Sequence, residues 1–244
     1  MEAGLRIENT NIKGQLPGNR LQADSSFSKS YINLFPSVTL SYQAGKNHTL
    51  NLSYRRRIDR PNYQDMNPFV YIFDTYTYEQ GNTTLQPQFS DNLELSYLLA
   101  NNYKVAVFYN QTNDVIAKSF ILSENSKRVY VMPKNLATYR SCGIRLSAGN
   151  LSPVKYMQST ASIGLTHNQY EWSLIQDANK TAQTTLMFHV GNRFLLGKGW
   201  LAELTGYYKG RMAMVQIKIA SFGQLTAGIQ KKLWNDRASI SLYS

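Results

Sequence analysis

The chain has 244 residues, 43% hydrophobic and 17% charged, with 26 Lys and Arg against 15 Asp and Glu for a formal charge of +11. No apolar run approaches the ~18–20 residues that a membrane helix needs, and the longest are short, as at Val129-Tyr130-Val131-Met132. A helical membrane span is thereby excluded, and the single cysteine, Cys142, excludes an intramolecular disulfide.

A near-average apolar content combined with a mean hydropathy of −0.37 requires apolar and polar residues to be interleaved. Interleaving at period two is the mark of strands with two unlike faces. A closed barrel crosses a membrane with such strands, because every backbone group is paired strand to strand. The basic balance raises nucleic acid as a partner, but the positive residues are scattered. The one dense cluster is Arg55-Arg56-Arg57 with Arg60 nearby, and it has no helix-turn-helix or stacked-aromatic motif beside it. No nucleic-acid partner is expected. Met1 to Glu8 carry no basic segment followed by an apolar one, so the export signal is expected upstream of residue 1.

In chain order, the alternation predicts strands at 2–9, 35–44, 48–57, 88–99, 103–123, 128–148, 154–172, 181–195, 200–209, 213–233 and 237–243. Leu50, Leu52 and Tyr54 alternate with Asn51, Ser53 and Arg55. Tyr103, Val105, Val107 and Tyr109 alternate with Lys104, Ala106, Phe108 and Asn110. Short connections are built from turn residues: Gly45-Lys46-Asn47, Ala100-Asn101-Asn102, Gly149 to Pro153, Gly197-Lys198-Gly199 and Asn235-Asp236. Between them lie variable connections at about 10–34 and 57–87, a tip near Ser123–Lys127, one at about 173–180 and a weak one near Lys209–Met212. This regular exchange of short and variable connections is the pattern of an outer-membrane barrel, whose two rims face different compartments.

The expected fold is therefore all-β: an antiparallel up-and-down transmembrane β-barrel of about eleven strands. Single-chain bacterial barrels close with an even number of strands. The odd count, and an end inside a strand at Tyr243-Ser244, predict one domain over 1–244 that is an incomplete, half barrel. Leu50, Leu52, Leu93, Leu95, Val105, Val107, Ile217 and Ile229 are expected to face lipid. Arg55, Arg57 and Lys104 are expected on the lumen side. Tyr42, Tyr54, Tyr97, Tyr109, Trp200 and Trp234 lie toward strand ends, as an interfacial aromatic girdle requires.

The segment after the third predicted strand is the most distinctive. It runs Arg55-Arg56-Arg57-Ile58-Asp59-Arg60-Pro61-Asn62-Tyr63, then Asn67-Pro68-Phe69, then Gly81-Asn82-Thr83-Thr84-Leu85-Gln86-Pro87. With Gly228 to Ala238 near the other end, it resembles the outer-membrane β-barrel family of TonB-dependent receptors. The resemblance implies the cell outer membrane of a Gram-negative bacterium. It also implies a full barrel of about 22 strands with a plug in its lumen, and uptake of a scarce ligand such as a siderophore or glycan. Partners implied are outer-membrane lipid, the remainder of the barrel, the plug, and a periplasmic energy-coupling protein acting through that missing region. No plug segment is recognisable here. A non-transporting structural or surface-binding barrel, and a soluble all-β binding domain, are the competing classes.

Recognition on a rigid scaffold belongs to loops, and the loop at 57–87 is the longest aromatic one. Arg57, Arg60, Tyr63, Phe69, Tyr76 and Tyr78 are the candidate ligand-binding residues, through ring faces and cationic groups. Alternatively the loop folds back on its neighbours, with Pro61, Pro68 and Pro87 fixing its turns. His48, His167 and His189 lack metal-ligand spacing, so no metal is expected. Cys142 sits in alternating sequence without a nucleophile's partners. No cofactor motif or catalytic constellation is present, and no enzyme activity is expected.

Overall fold

A computed structural model describes residues 1–16, 25–123, 127–174, 177–234 and 237–244. Fifteen strands are found among them. They are β1 (Glu2–Leu16), β2 (Ser25–Gln43), β3 (His48–Asp59), β4 (Val70–Ile72), β5 (Thr77–Gln80), β6 (Gln88–Leu99), β7 (Tyr103–Leu122) and β8 (Val129–Leu151). After them come β9 (Met157–Leu174), β10 (Asp177–Gly197), β11 (Trp200–Lys209), β12 (Met212–Ala213), β13 (Lys218–Ile219), β14 (Phe222–Leu233) and β15 (Ala238–Tyr243). The main ladder runs β1-β2-β3-β6-β7-β8-β9-β10-β11-β14-β15, eleven strands each beside its chain neighbour in that path. It is an up-and-down antiparallel sheet, as the alternation predicts, and no ladder joins β1 to β15 among the described residues.

Tight turns hold this order. Positive φ occurs at Gly45 (79°), Ala100 (50°), Asn101 (58°), Gly197 (79°), Lys198 (49°) and Gly199 (76°), all in the predicted short connections. Two successive positive φ values at Ala100-Asn101 give the twist that matches paired strands. The turn between β8 and β9 lies slightly later than expected, at 152–156, because β8 continues to Leu151. Asn235-Asp236 lies outside the described residues.

The contacts divide the chain into two compact units: 1–39, 53–92 and 112–138 in one, 40–52, 93–111 and 139–244 in the other. In the first, β1 and β2 pair without a slip from Glu2↔Thr39 to Leu16↔Ser25. Leu5, Ile7, Ile32 and Leu34 are exposed on one face of that pair. The opposite face carries Arg6 stacked 4.9 Å over the buried Phe35 ring and ion-paired to Glu8 at 3.2 Å.

The second unit has the same division. Leu50, Leu52, Leu93, Leu95, Val105, Val107 and Ile229 are exposed, as the lipid-facing expectation requires. Ile144, Leu146, Ile163, Leu165, Leu186 and Phe188 extend this apolar face. The other face is polar. Lys104 is ion-paired to Glu94 at 2.8 Å, Asn110 donates to Ser141 at 3.2 Å, Tyr139 donates to Asn168 at 2.7 Å and Arg193 meets Glu203 at 3.2 Å. Beyond Ile144 and Leu165 the apolar face itself turns polar, where Arg140 bonds Glu171 at 2.8 Å and Gln169 donates to the same carboxylate. That change sets the edge of the apolar band. Tyr42, Tyr97, Tyr109, Trp200 and Trp234 are exposed, whereas Tyr54, in the first unit, is half-buried and donates to Asp91 at 2.7 Å.

Three expectations need correction. The stretch 10–34 is not one loop: β1 runs on to Leu16 and β2 begins at Ser25, with 17–24 outside the described residues. Past the apolar band neither face needs to be apolar, so the strand continues without the alternation that would reveal it. Likewise β9 and β10 run to Leu174 and from Asp177, replacing most of the connection expected at 173–180. The stretch 213–233 is not one strand but the β12–β13 hairpin followed by β14. Thr185 Oγ1 donates to the Arg211 carbonyl at 2.9 Å and Thr181 Oγ1 to the Val215 carbonyl at 3.0 Å, tying the hairpin to β10. Ile217 therefore sits in the hairpin's connection rather than on a wall strand, although it is exposed.

The two-faced sheet makes a direct prediction. Val107→Arg places a charge in the apolar band and is expected to cost about 2–4 kcal/mol if it lies near the bilayer midplane. Equilibrium unfolding in lipid vesicles measures it, with Ala106→Ser on the opposite face as the mild comparison.

Candidate ligand-binding loop

The loop after β3 is built by side chains that substitute for ladder bonds. Pro61 has no N–H to donate, so the β3 ladder cannot continue through it. Asn62 Oδ1 accepts the Asp65 N–H at 2.8 Å, and Met66 and Asn67 donate to the carbonyls of Tyr63 and Gln64, closing a compact turn. Asn67 Oδ1 accepts from the Phe69 N–H at 3.2 Å. The β4–β5 hairpin then reverses at Asp74, whose Oδ1 accepts the Tyr76 and Thr77 N–H groups at 2.7 Å each. Those bonds favour the charged form and hold its carboxyl below the usual range. Asn82 Oδ1 accepts from Thr84, and its Nδ2 donates to the Pro133 carbonyl at 3.1 Å.

Longer-range anchors fix the loop to the strands of its own unit. Arg60 reaches Glu8 at 2.6 Å and Thr10 at 3.0 Å. Lys29 donates to the carbonyl of Leu85, whose side chain is buried. Asn135 Nδ2 donates to the Gln86 and Asp114 carbonyls and its Oδ1 accepts the Gln86 N–H, at 2.7–2.8 Å. Strand β5 pairs in parallel with β8 from Thr77↔Val129 to Glu79↔Val131. Tyr78 stacks on Tyr130 at 5.6 Å, with Arg128 5.2 Å over its ring. Gly81 donates to the Asn67 carbonyl at 2.9 Å, and a Cβ there would lie 2.4 Å from that oxygen.

The six candidate residues separate into two groups. Arg60 and Tyr78 are occupied in anchoring the loop. Tyr63, Phe69 and Tyr76 are exposed on it, and Arg57 is exposed on β3 with no polar partner among the described residues. The structure does not gather the six around one cavity. It instead places Tyr71 and Phe73, 64% and 71% exposed, at a cavity of about 350 Å³ in this unit. Gln64, Asp65, Asn67, Glu79, Gln80, Gly81, Lys118 and Pro133 complete the lining. Lys118 of β7 is ion-paired with Glu79 at 2.5 Å. Its position in a distant strand gives it no local signal in the sequence.

The other singled-out groups lie elsewhere. His48 meets the Tyr97 hydroxyl at 2.5 Å, His167 meets Thr184 at 3.0 Å, and Cys142 is exposed on β8. Among the described residues no group of three or more His, Cys, Asp and Glu is placed to hold a metal ion.

Two outcomes are expected of the loop frame. Gly81→Ala forces the 81–82 backbone away from 65–67 and should release the loop while the sheet persists, read as new proteolytic cleavage within 60–87 with unchanged heat-modifiable gel migration. Asp74 has its carboxyl pKa lowered in the fold, so its turn-stabilising contribution is present above the ordinary carboxylate range and lost as pH falls through the lowered value. The amide shifts of Tyr76 and Thr77 should therefore stay constant below the ordinary value of 3.8 before moving.

The comparisons with known proteins agree with this architecture. Among solved structures the chain is similar to the siderophore receptor PirA from Pseudomonas aeruginosa, with a TM-score of 0.62 and 12% identity over 95% of this chain and 42% of that one. It is similar to the copper transporter OprC, with a TM-score of 0.62 and 14% identity over 99% of this chain and 38% of that one. It is also similar to a mutant of the ferric enterobactin receptor PfeA from Pseudomonas aeruginosa in complex with enterobactin, with a TM-score of 0.54 and 13% identity over 86% and 35%. The chain thus spans less than half of each of these proteins, and identities this low establish a shared fold. No curated protein matches. The outer membrane protein beta-barrel family matches over residues 1–244, and the chain belongs to that family of the cell outer membrane.

Proposed function

We propose that residues 1–244 form one membrane domain, part of the barrel wall of an uptake receptor of the TonB-dependent kind, and that the loop at 57–87 captures its ligand. The observation that carries this is the loop's construction. A frame of side-chain bonds holds it against β1, β2, β7 and β8, and exposed aromatic residues project from that frame. Loops built this way on a rigid sheet serve recognition. Tyr63, Phe69 and Tyr76 supply ring faces and Arg57 supplies a charge that has no polar partner among the described residues. Arg60 and Tyr78 contribute by holding the loop in place.

The neighbours' names lend support: a siderophore receptor, an enterobactin-bound receptor and a copper transporter are all proteins of scarce-nutrient traffic. They support binding and translocation rather than catalysis. Lipid lies against the apolar face. The remaining barrel wall, a plug and a periplasmic energy-coupling protein complete the proposed machine.

The test is energy-dependent capture by cells expressing the protein. Labelled ferric enterobactin, copper(II) and neutral oligosaccharides serve as probes. Accumulation of at least one probe should collapse when a protonophore is added. Deleting 70–80 should lower capture about tenfold, the effect of losing roughly 1.4 kcal/mol of binding, without altering heat-modifiable migration. Capture that is indifferent to the protonophore would instead indicate a surface-binding barrel that does not transport.

A further inference from the structure

The cavity beside the β4–β5 hairpin has a chemistry of its own, and we propose that it is a binding site for a neutral saccharide. This rests on the loop's role in ligand capture and narrows the class of ligand.

Tyr71 and Phe73 are alternate residues, so they share one face of the hairpin. Glu79, opposite Tyr71 in the ladder, is on that face too. The opposite face carries Tyr78, which stacks on Tyr130. One side of the hairpin is therefore fastened to β8, and the other presents two exposed rings at a cavity of about 350 Å³. Adjacent exposed rings on a well-anchored hairpin mark an interaction site. The face of a sugar ring is lined with C–H groups and packs on an aromatic ring, and its hydroxyls need both donors and acceptors.

The polar lining matches that need. Gln64, Asn67 and Gln80 carry amides, and Asp65 carries a carboxylate with no side-chain partner among the described residues. Gln80 Nε2 is committed to the Pro68 carbonyl at 2.8 Å, and Asn67 Oδ1 to Phe69, so each amide keeps one function free.

Charge then selects among ligands. Among the described residues the only cation lining the cavity, Lys118, is already paired with Glu79 at 2.5 Å. The one uncommitted charge, Asp65, is negative. An anionic metal chelate would meet repulsion without a free Arg or Lys to offset it, whereas a neutral polyhydroxylated ligand gains hydrogen bonds from the same carboxylate. The chain's excess of basic residues does not extend into this cavity.

The experiment uses the whole protein, refolded into lauryldimethylamine oxide so that no sugar headgroup competes. Maltopentaose, cellopentaose, xylopentaose and chitopentaose are titrated at concentrations to about 1 mM, a range that detects millimolar binding. Saturation-transfer NMR reports on ring contact. At least one sugar should bind. Tyr71→Ala and Phe73→Ala should each weaken it about fivefold, the size of one aromatic contact. Tyr71→Phe should retain affinity, and Ile72→Thr on the opposite face should leave it unchanged. Unchanged heat-modifiable migration establishes that each variant is assembled. Sugar binding that ignores both ring deletions would overturn the site. If none of the sugars binds while ferric enterobactin binds and depends on the hairpin, the saccharide assignment fails and the receptor assignment stands. If no probe binds and deletion of 70–80 leaves cellular capture intact, both fail.

Discussion

Lipid cannot hydrogen-bond a peptide group, and that constraint governs everything else in this chain. Each N–H and C=O within the apolar band has to find its partner in the neighbouring strand. The eleven-strand ladder, each member beside its neighbour along the path, meets the requirement between adjacent strands. It also imposes the two-faced pattern. Val105 and Val107 are left exposed on one side while Lys104 finds Glu94 on the other. In water the exposed valines would be a defect. Against hydrocarbon they are the stable arrangement, and the ion pair belongs to the polar side.

Outside the band the constraint lapses and a different economy takes over. Water is available to satisfy backbone groups, so the chain can leave the ladder, but an ordered loop must then be held by something else. Asn62, Asn67, Asp74 and Asn82 do this locally by bonding N–H groups two or three residues ahead. Arg60, Lys29 and Asn135 do it at long range. The Arg60-Pro61, Asn67-Pro68 and Gly81-Asn82 steps that carry the family resemblance are thus mostly frame. The exposed rings of Tyr71, Phe73 and Tyr76 lie between those steps.

This division explains what could be read from the sequence. Inside the band the apolar requirement writes period-two alternation into the chain, so β6 and β11 fall on their predicted bounds and β3 and β7 nearly so. Short turns are legible because Gly45, Ala100-Asn101 and Gly197 to Gly199 need positive φ. Beyond the band the code weakens. Thr10 and Asn11 look like loop residues, yet they lie on β1 in unbroken register with β2. Val215, Ile217 and Ile219 alternate like a wall strand, but Thr181 and Thr185 capture that stretch as a hairpin. The candidate site suffered most. Arg60 is chemically suited to an anionic ligand, and only its bonds to Glu8 and Thr10, roughly fifty positions away, reveal it as an anchor. Lys118 was invisible for the same reason: its partner Glu79 is reached through the fold, not along the chain.

The frame also bears on affinity. A loop that orders only when ligand arrives gives up much of its interaction energy as lost conformational entropy. Here the turns at 62–67, 73–77 and 81–85 are already closed, and β5 is already laddered to β8. The rings at the cavity are presented on a hairpin whose far face is stacked and whose base is pinned by the close approach of Gly81 to Asn67. A weakly interacting ligand needs such preorganisation most, because its few ring contacts and hydrogen bonds leave little surplus to order a segment. For the proposed saccharide site the same logic makes Gly81 decisive through its close approach to Asn67, although it offers a ligand no side chain at all.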